Sequence, residues 1–158
     1  MNNTLSNPMS KVVALFVAVV MLMATLLISP DKAAAALPDG QYPIGVTILK
    51  DVNGQPSTEP SMTNSYIVGP KFLNVRNGKN YVSFTFTQSK QITHFKVNGV
   101  DSTVVSQDLA ANTRVIEFEV PNLTQTSSAW ISINWPEINY VNSYNVWVKY
   151  DNLPVGLN

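Results

Sequence analysis

Tyr140 and Tyr144 sit four residues apart in the segment INYVNSYNVWVKYD, residues 138–151. Their two phenol oxygens are the side-chain groups of this chain best suited to chemistry. A phenol ordinarily holds its proton to about pH 10, but a metal ion that displaces the proton turns it into an anionic oxygen ligand. The chain has no cysteine, and His94 is its single histidine, so a phenol is the obvious candidate ligand for any metal or cofactor. Positions 140 and 144 share parity, so on one strand both side chains face the same way. A regular strand holds such positions about 13 Å apart, and contact between the hydroxyls then calls for a bend or bulge. If Val141-Asn142-Ser143 is instead a tight loop, the two rings oppose each other across a hairpin. Plain packing of aromatics on a sheet accounts for the spacing as well as either arrangement does.

Other constellations carry less. His94 lies in Thr93-His94-Phe95-Lys96, a strand pattern with no evident nucleophile or orienting acid, and the chain is not expected to be an enzyme. Glu117 and Glu119 alternate with Phe118 and Val120, so they read as a solvated strand face with Arg114 near enough to pair with them. No cluster of Cys, His or carboxylates has zinc-ligand spacing. Asp51-Val52-Asn53-Gly54 lacks the remaining acidic positions of a calcium loop and reads as a turn.

The elements that must position the tyrosines follow a leader-like segment. Lys11, the apolar run Val12–Ile28, Ser29-Pro30 and the cluster Ala33–Ala36 have the layout of a secretory signal peptide over residues 1–35. An uncleaved membrane anchor is the competing reading of the same run. Cleavage leaves about 122 residues, enough for one domain with one core, and a net charge of about −1. That charge argues against nucleic acid or an anionic membrane as partner, and no membrane span is expected in the mature chain. A secreted domain without disulfides must be held by its hydrophobic core. No hydrophobic tail or sorting pattern follows the last strand, so a free extracellular protein is expected.

Alternation with a period of two dominates the rest. Tyr42, Ile44, Val46 and Ile48 share one face. Phe72–Val75 runs into the hairpin dipeptide Asn77-Gly78, and Tyr81–Thr87 alternates about Val82, Phe84 and Phe86. Further strands are read at 92–97, 114–120, 130–135 and 144–150. A short helical turn is read near 60–65, where Pro60 precedes Ser61, Thr63 and Asn64. The reading is an all-β, immunoglobulin-like antiparallel sandwich of seven or eight strands. The domain spans 37–152, with 153–158 as a C-terminal tail.

The order of these segments resembles the NEAT (near-iron transporter) domain family. Leu37-Pro38-Asp39-Gly40-Gln41-Tyr42, Ser61-Met62-Thr63-Asn64-Ser65-Tyr66, the strands containing His94 and Arg114, and above all Tyr140-x-x-x-Tyr144 carry the resemblance. It implies a module that binds haem or haemoproteins. Tyr140 would be the axial ligand to ferric haem (iron protoporphyrin IX), and Tyr144 would hydrogen-bond the Tyr140 phenolate. Ser61 would hold a propionate, Met62 would cover the distal face and Tyr66 would touch the porphyrin or its propionates. Apolar walls are expected from Ile131, Ile133 and Trp135 on one strand and Val146 on the next, with the parity of 130–135 left open. Trp147, of opposite parity to Tyr144, is expected in the core or on the other face. The turn residues Thr63 and Ser65, and Val141-Asn142-Ser143 between the tyrosines, fall at positions expected to vary.

Because both tyrosines are present, the resemblance implies a secreted haemophore. It would take ferric haem from haemoglobin or another host haemoprotein and pass it to a NEAT-domain surface receptor. The rivals are a haemoglobin-binding module that does not transfer haem and a cell-surface adhesion domain.

Overall fold

The computed structural model of the chain describes residues 37–157; the leader expected over residues 1–35 lies outside them. Ten strands follow in order: β1 Gly40–Val52, β2 Gln55–Pro60, β3 Ile67–Arg76, β4 Lys79–Thr87, β5 Ile92–Val97, β6 Val100–Asp101, β7 Thr103–Asp108, β8 Thr113–Glu119, β9 Ser127–Trp135 and β10 Tyr140–Asp151. Short 3₁₀ turns occupy Met62–Tyr66 and Pro136–Ile138. The pairing is antiparallel throughout and runs β6-β5-β9-β10-β1-β3-β4-β8-β7, with β2 also on β1.

β1 joins two sheets. Its residues 40–44 pair with β3, while residues 45–50 pair with β10. Gly45 stands at the changeover, where a Cβ would come within 2.9 Å of the Asp151 Cβ, so only glycine lets the strands approach this closely. Inward residues of the two sheets meet in a core that includes Ile48, Leu73, Val82, Phe84, Phe86, Phe95, Ile116, Ile131 and Val148. Phe84 and Phe86 on one sheet pack edge-to-face on Phe95 of the other, with ring centroids 5.9 and 5.2 Å apart. These are favoured aromatic geometries. Asn77 and Gly78 both take positive φ, 52° and 71°, as the tight hairpin between β3 and β4 demands.

Parity therefore reads the core correctly, and the structure extends or corrects several details. The sequence pattern misses β2, β6 and β7, and starts β3 and β10 too late. Arg114 does not pair with Glu117 or Glu119. It shares parity with the inward-facing Ile116 and Phe118, and its guanidinium donates to the Ser89 carbonyl at 2.8 Å. Burial lowers its pKa from the ordinary value. Glu117 is instead held by Arg76 through contacts of 2.6 and 3.0 Å and by Asn74 at 2.9 Å. The hydrogen bond from Arg76 is the main reason its carboxyl sits below the usual range. Glu119 pairs with Lys79 at 3.1 Å.

Candidate functional site

Residues 141–143 are strand. β9 and β10 pair in unbroken register from Tyr140 opposite Trp135 to Val148 opposite Ser127. The connection lies earlier, in Pro136–Ile138 and Asn139. Pro136 starts the 3₁₀ turn, and Asn139 closes it in the left-handed region at φ 50° and ψ 44°, which asparagine tolerates well. Tyr140, Asn142 and Tyr144 consequently occupy successive positions on one face of one strand.

The two phenol oxygens are in direct hydrogen-bond contact. The β9–β10 register has no shift, so the bulge that the sequence allowed for is not involved. Asn142 Nδ2 donates to the Tyr144 hydroxyl at 2.9 Å. Tyr144 holds its proton above the ordinary phenol value, chiefly through the hydrogen bond with Tyr140, with slight burial and the neighbouring phenolate charge adding to it. The Asn142 amide acts in the opposite direction.

The facing wall is the turn Met62–Tyr66. Ser61 caps it: its Oγ accepts the Thr63 backbone N–H at 3.3 Å and lies 3.4 Å from the Thr63 hydroxyl. The turn is tied to β1 twice. Ser61 N–H donates to the Ile48 carbonyl at 2.8 Å, and Ile48 N–H donates to Asn64 Oδ1 at 2.9 Å. Thr63 is buried beneath the turn, whereas Met62 projects outward and is 79% exposed. Its Ser-Met pair thus presents one hydroxyl and one thioether at the mouth of a groove.

That groove has a volume of about 570 Å³, within the range of small-molecule and cofactor sites. Ser61, Met62, Tyr66, Ile133, Tyr140, Tyr144 and Val146 all line it, as does Trp135. Ile131 does not. It is fully buried in the core opposite Tyr144, so the odd parity of β9 is the groove parity but only its last two members, Ile133 and Trp135, reach the groove. Trp147 belongs to the opposite face, where its indole N–H donates to Asp51 Oδ2 at 2.8 Å. Ile138, 64% exposed at the hairpin tip, is an apolar lining residue that the sequence reading overlooked. The Pro136 and Asn139 turn signals could have located it. Lys50, paired with Glu59 at 2.6 Å, and Asp51 complete the rim.

An open slot with apolar walls, a pair of phenols on one side and a hydroxyl on the other fits a flat, mostly apolar group that carries an oxygen-seeking metal and polar margins. Among the described residues no group of three or more His, Cys, Asp or Glu could hold a metal ion, so the phenols are the outstanding donors in the slot. A second concavity of about 540 Å³, beside Arg76, Tyr81 and Glu117, lacks these features because its ionic groups already satisfy one another.

The architecture recurs in solved structures. The NEAT5 domain of IsdX2, a B. anthracis hemophore in complex with heme, superposes with a TM-score of 0.67 at 39% identity, covering 75% of this chain and all of that one. A mutant of the same domain, also in complex with heme, gives 0.68 at 40% identity. Hemin/hemoglobin-binding protein 1 of Listeria monocytogenes is 30% identical over 90% of this chain and 68% of its own length. Hemin/hemoglobin-binding protein 2 of the same organism is 36% identical over 68% of this chain, which spans only 20% of that longer protein. The family model for NEAT, the Iron Transport-associated domain, matches residues 35–152. The chain belongs to the NEAT family.

Proposed function

We propose that this chain is a secreted haem-binding protein that captures ferric haem in the groove between the Met62–Tyr66 turn and the β9–β10 hairpin, for onward transfer in iron acquisition. The observation that carries the proposal is the contact between the Tyr140 and Tyr144 hydroxyls at the floor of an apolar slot. Two phenols side by side let one bear the negative charge while the other donates a hydrogen bond to it.

Tyr140 would supply the oxygen ligand to iron, an established mode of haem ligation. Tyr140 would give its proton to solvent on coordinating the iron, and Tyr144 would keep its own proton and donate to the Tyr140 oxygen. Ile133, Val146, Trp135 and Met62 would flank the macrocycle, with Met62 offering an adaptable, polarisable surface. Ser61 would meet a propionate at the open margin, and Tyr66 would meet the porphyrin or its propionates. The family relationship, the heme complexes of the matched B. anthracis domain and the Listeria relatives named for hemin and haemoglobin support this reading. Haemoglobin or another haemoprotein is the proposed donor, and a NEAT-domain surface receptor the proposed acceptor. An exposed groove with a single oxygen ligand suits transfer better than storage. The role proposed is that of a binding module, with residues 1–35 as its export signal and 37–152 as the functional domain.

The test is a Soret-band titration of the purified chain with ferric haem, repeated after reduction under dinitrogen. Saturable binding that weakens on reduction is expected, because a hard phenolate prefers the ferric ion. Undiminished affinity for reduced haem would contradict a phenolate ligand. Absence of binding in both states, together with retention on immobilised haemoglobin, would favour the haemoglobin-binding module without haem transfer.

A further inference from the structure

We propose that Asn142 is a positioning residue for the iron ligand: its side-chain amide directs the Tyr144 hydroxyl to donate toward Tyr140. The inference rests on the haem-binding reading above and adds to it a residue between the two tyrosines that does not itself line the groove.

Three contacts carry it. The Ser143 backbone N–H donates to Asn142 Oδ1 at 2.8 Å. An amide has one carbonyl oxygen, so engaging it fixes which end of the side chain faces Tyr144. Asn142 Nδ2, a donor only, then lies 2.9 Å from the Tyr144 hydroxyl oxygen. That oxygen must accept, and its one proton is left to point at the Tyr140 oxygen, with which it is in contact. The result is a one-way chain from Ser143 N–H through the Asn142 amide and the Tyr144 hydroxyl to Tyr140.

Direction matters because a pair of isolated phenols is symmetrical. Either could donate, and a Tyr144 that accepted from Tyr140 would hold the Tyr140 proton in place and oppose metal coordination. Accepting from Asn142 crowds the acceptor side of the Tyr144 oxygen and leaves its proton for Tyr140, so Tyr144 is the favoured donor and Tyr140 is free to give its proton to solvent. Each donor in such a chain also polarises the next, strengthening the final bond to the phenolate. The spacing Tyr-x-Asn-x-Tyr is what makes this possible, since all three share one strand face.

The experiment has two arms. In the first, the side-chain NH2 signal of Asn142 in the ¹⁵N-labelled haem-free protein is compared between the wild type and Tyr144→Phe. Loss of the hydroxyl acceptor should move the hydrogen-bonded Nδ2 proton upfield in Tyr144→Phe. An unmoved signal would overturn the assignment. In the second, release of ferric haem to excess apomyoglobin is timed for Asn142→Ala, Tyr144→Phe and the double variant. About fivefold faster release is expected from Asn142→Ala alone, the effect of one modest hydrogen bond, with no further change when Tyr144→Phe is already present. Equal acceleration in both backgrounds would show that Asn142 does not act through Tyr144 and would overturn the proposal. A wild-type chain that takes up no haem would overturn the functional reading instead, and the haem-free amide signal would still decide the role of Asn142.

Discussion

The even-numbered face of β10 carries three tyrosines that meet two different fates. Tyr150 is buried and donates to Ser127 Oγ at 2.8 Å. Tyr140 and Tyr144, on the same face of the same strand, reach the groove, and Tyr144 is 41% exposed. The pKa of both Tyr144 and Tyr150 is raised, for different reasons. Burial pushes Tyr150 up to about 12, whereas the hydrogen bond with Tyr140 raises Tyr144. What differs is the cover. The opposing sheet packs over Val148 and Tyr150, but a short 3₁₀ turn stands across from Tyr140 and Tyr144, with Val146 at the boundary. One strand thus serves as core at one end and as groove wall at the other, because the sandwich stops covering it partway along.

The same boundary divides β9, and the sharpest way to probe it sets a core residue of that strand against a residue of the facing turn. Ile131→Ala removes a fully buried side chain and should cost about 2–5 kcal/mol in urea unfolding. Met62→Ala, on an exposed side chain, should leave the unfolding midpoint nearly unchanged. Equal losses would mean that the core extends to the turn. Next in size is Tyr144→Phe, which keeps the ring but removes the donor to Tyr140. Ferric haem affinity should fall about 10–100-fold, as for loss of a partner to a metal ligand, with unfolding little altered.

The buried tyrosine gives a pH signature of its own. The folded-state pKa of Tyr150 is raised to about 12, above an unfolded value near 10. Between those values the unfolded chain binds fewer protons than the folded one, so stability falls as pH rises. The contribution is fully present below about pH 10 and is lost progressively to about pH 12, by about 2 kcal/mol. Urea unfolding across that range should show the decline in wild type and a weaker one in Tyr150→Phe. The smallest effect expected is from Ser61→Ala. Loss of its cap on the Met62–Tyr66 turn should cost about 1 kcal/mol or less, seen as a lower urea midpoint with unchanged slope.

Much of this division was legible in the chain. Alternation exposed the core because strands half-covered by a partner sheet imprint burial on every second residue, as in Ile44, Val46 and Ile48. β7 left no such mark, since every residue from Thr103 to Asp108 is exposed. β2, Gln-Pro-Ser-Thr-Glu-Pro, is an edge strand with few apolar residues to alternate. The tyrosine spacing and the Ser61–Tyr66 turn pointed to the groove, but parity could not say where the groove ends. Ile131 and Ile133 share a strand face, and only the extent of the opposing sheet separates core from wall. Asn142 was illegible for another reason. Its position shows the face it shares with the tyrosines, but the direction of its amide depends on a backbone N–H one residue away.

In the proposed function Tyr140 is a ligand, while Tyr150, ten residues along the same face, is structural. The direct measurement is a Soret titration with ferric haem of wild type, Tyr140→Ala and Tyr150→Phe, each first checked for folding by circular dichroism. Affinity should drop by more than about 100-fold in Tyr140→Ala, beyond the range for loss of an outer partner, and stay unchanged in Tyr150→Phe. Full haem binding by folded Tyr140→Ala would contradict the account.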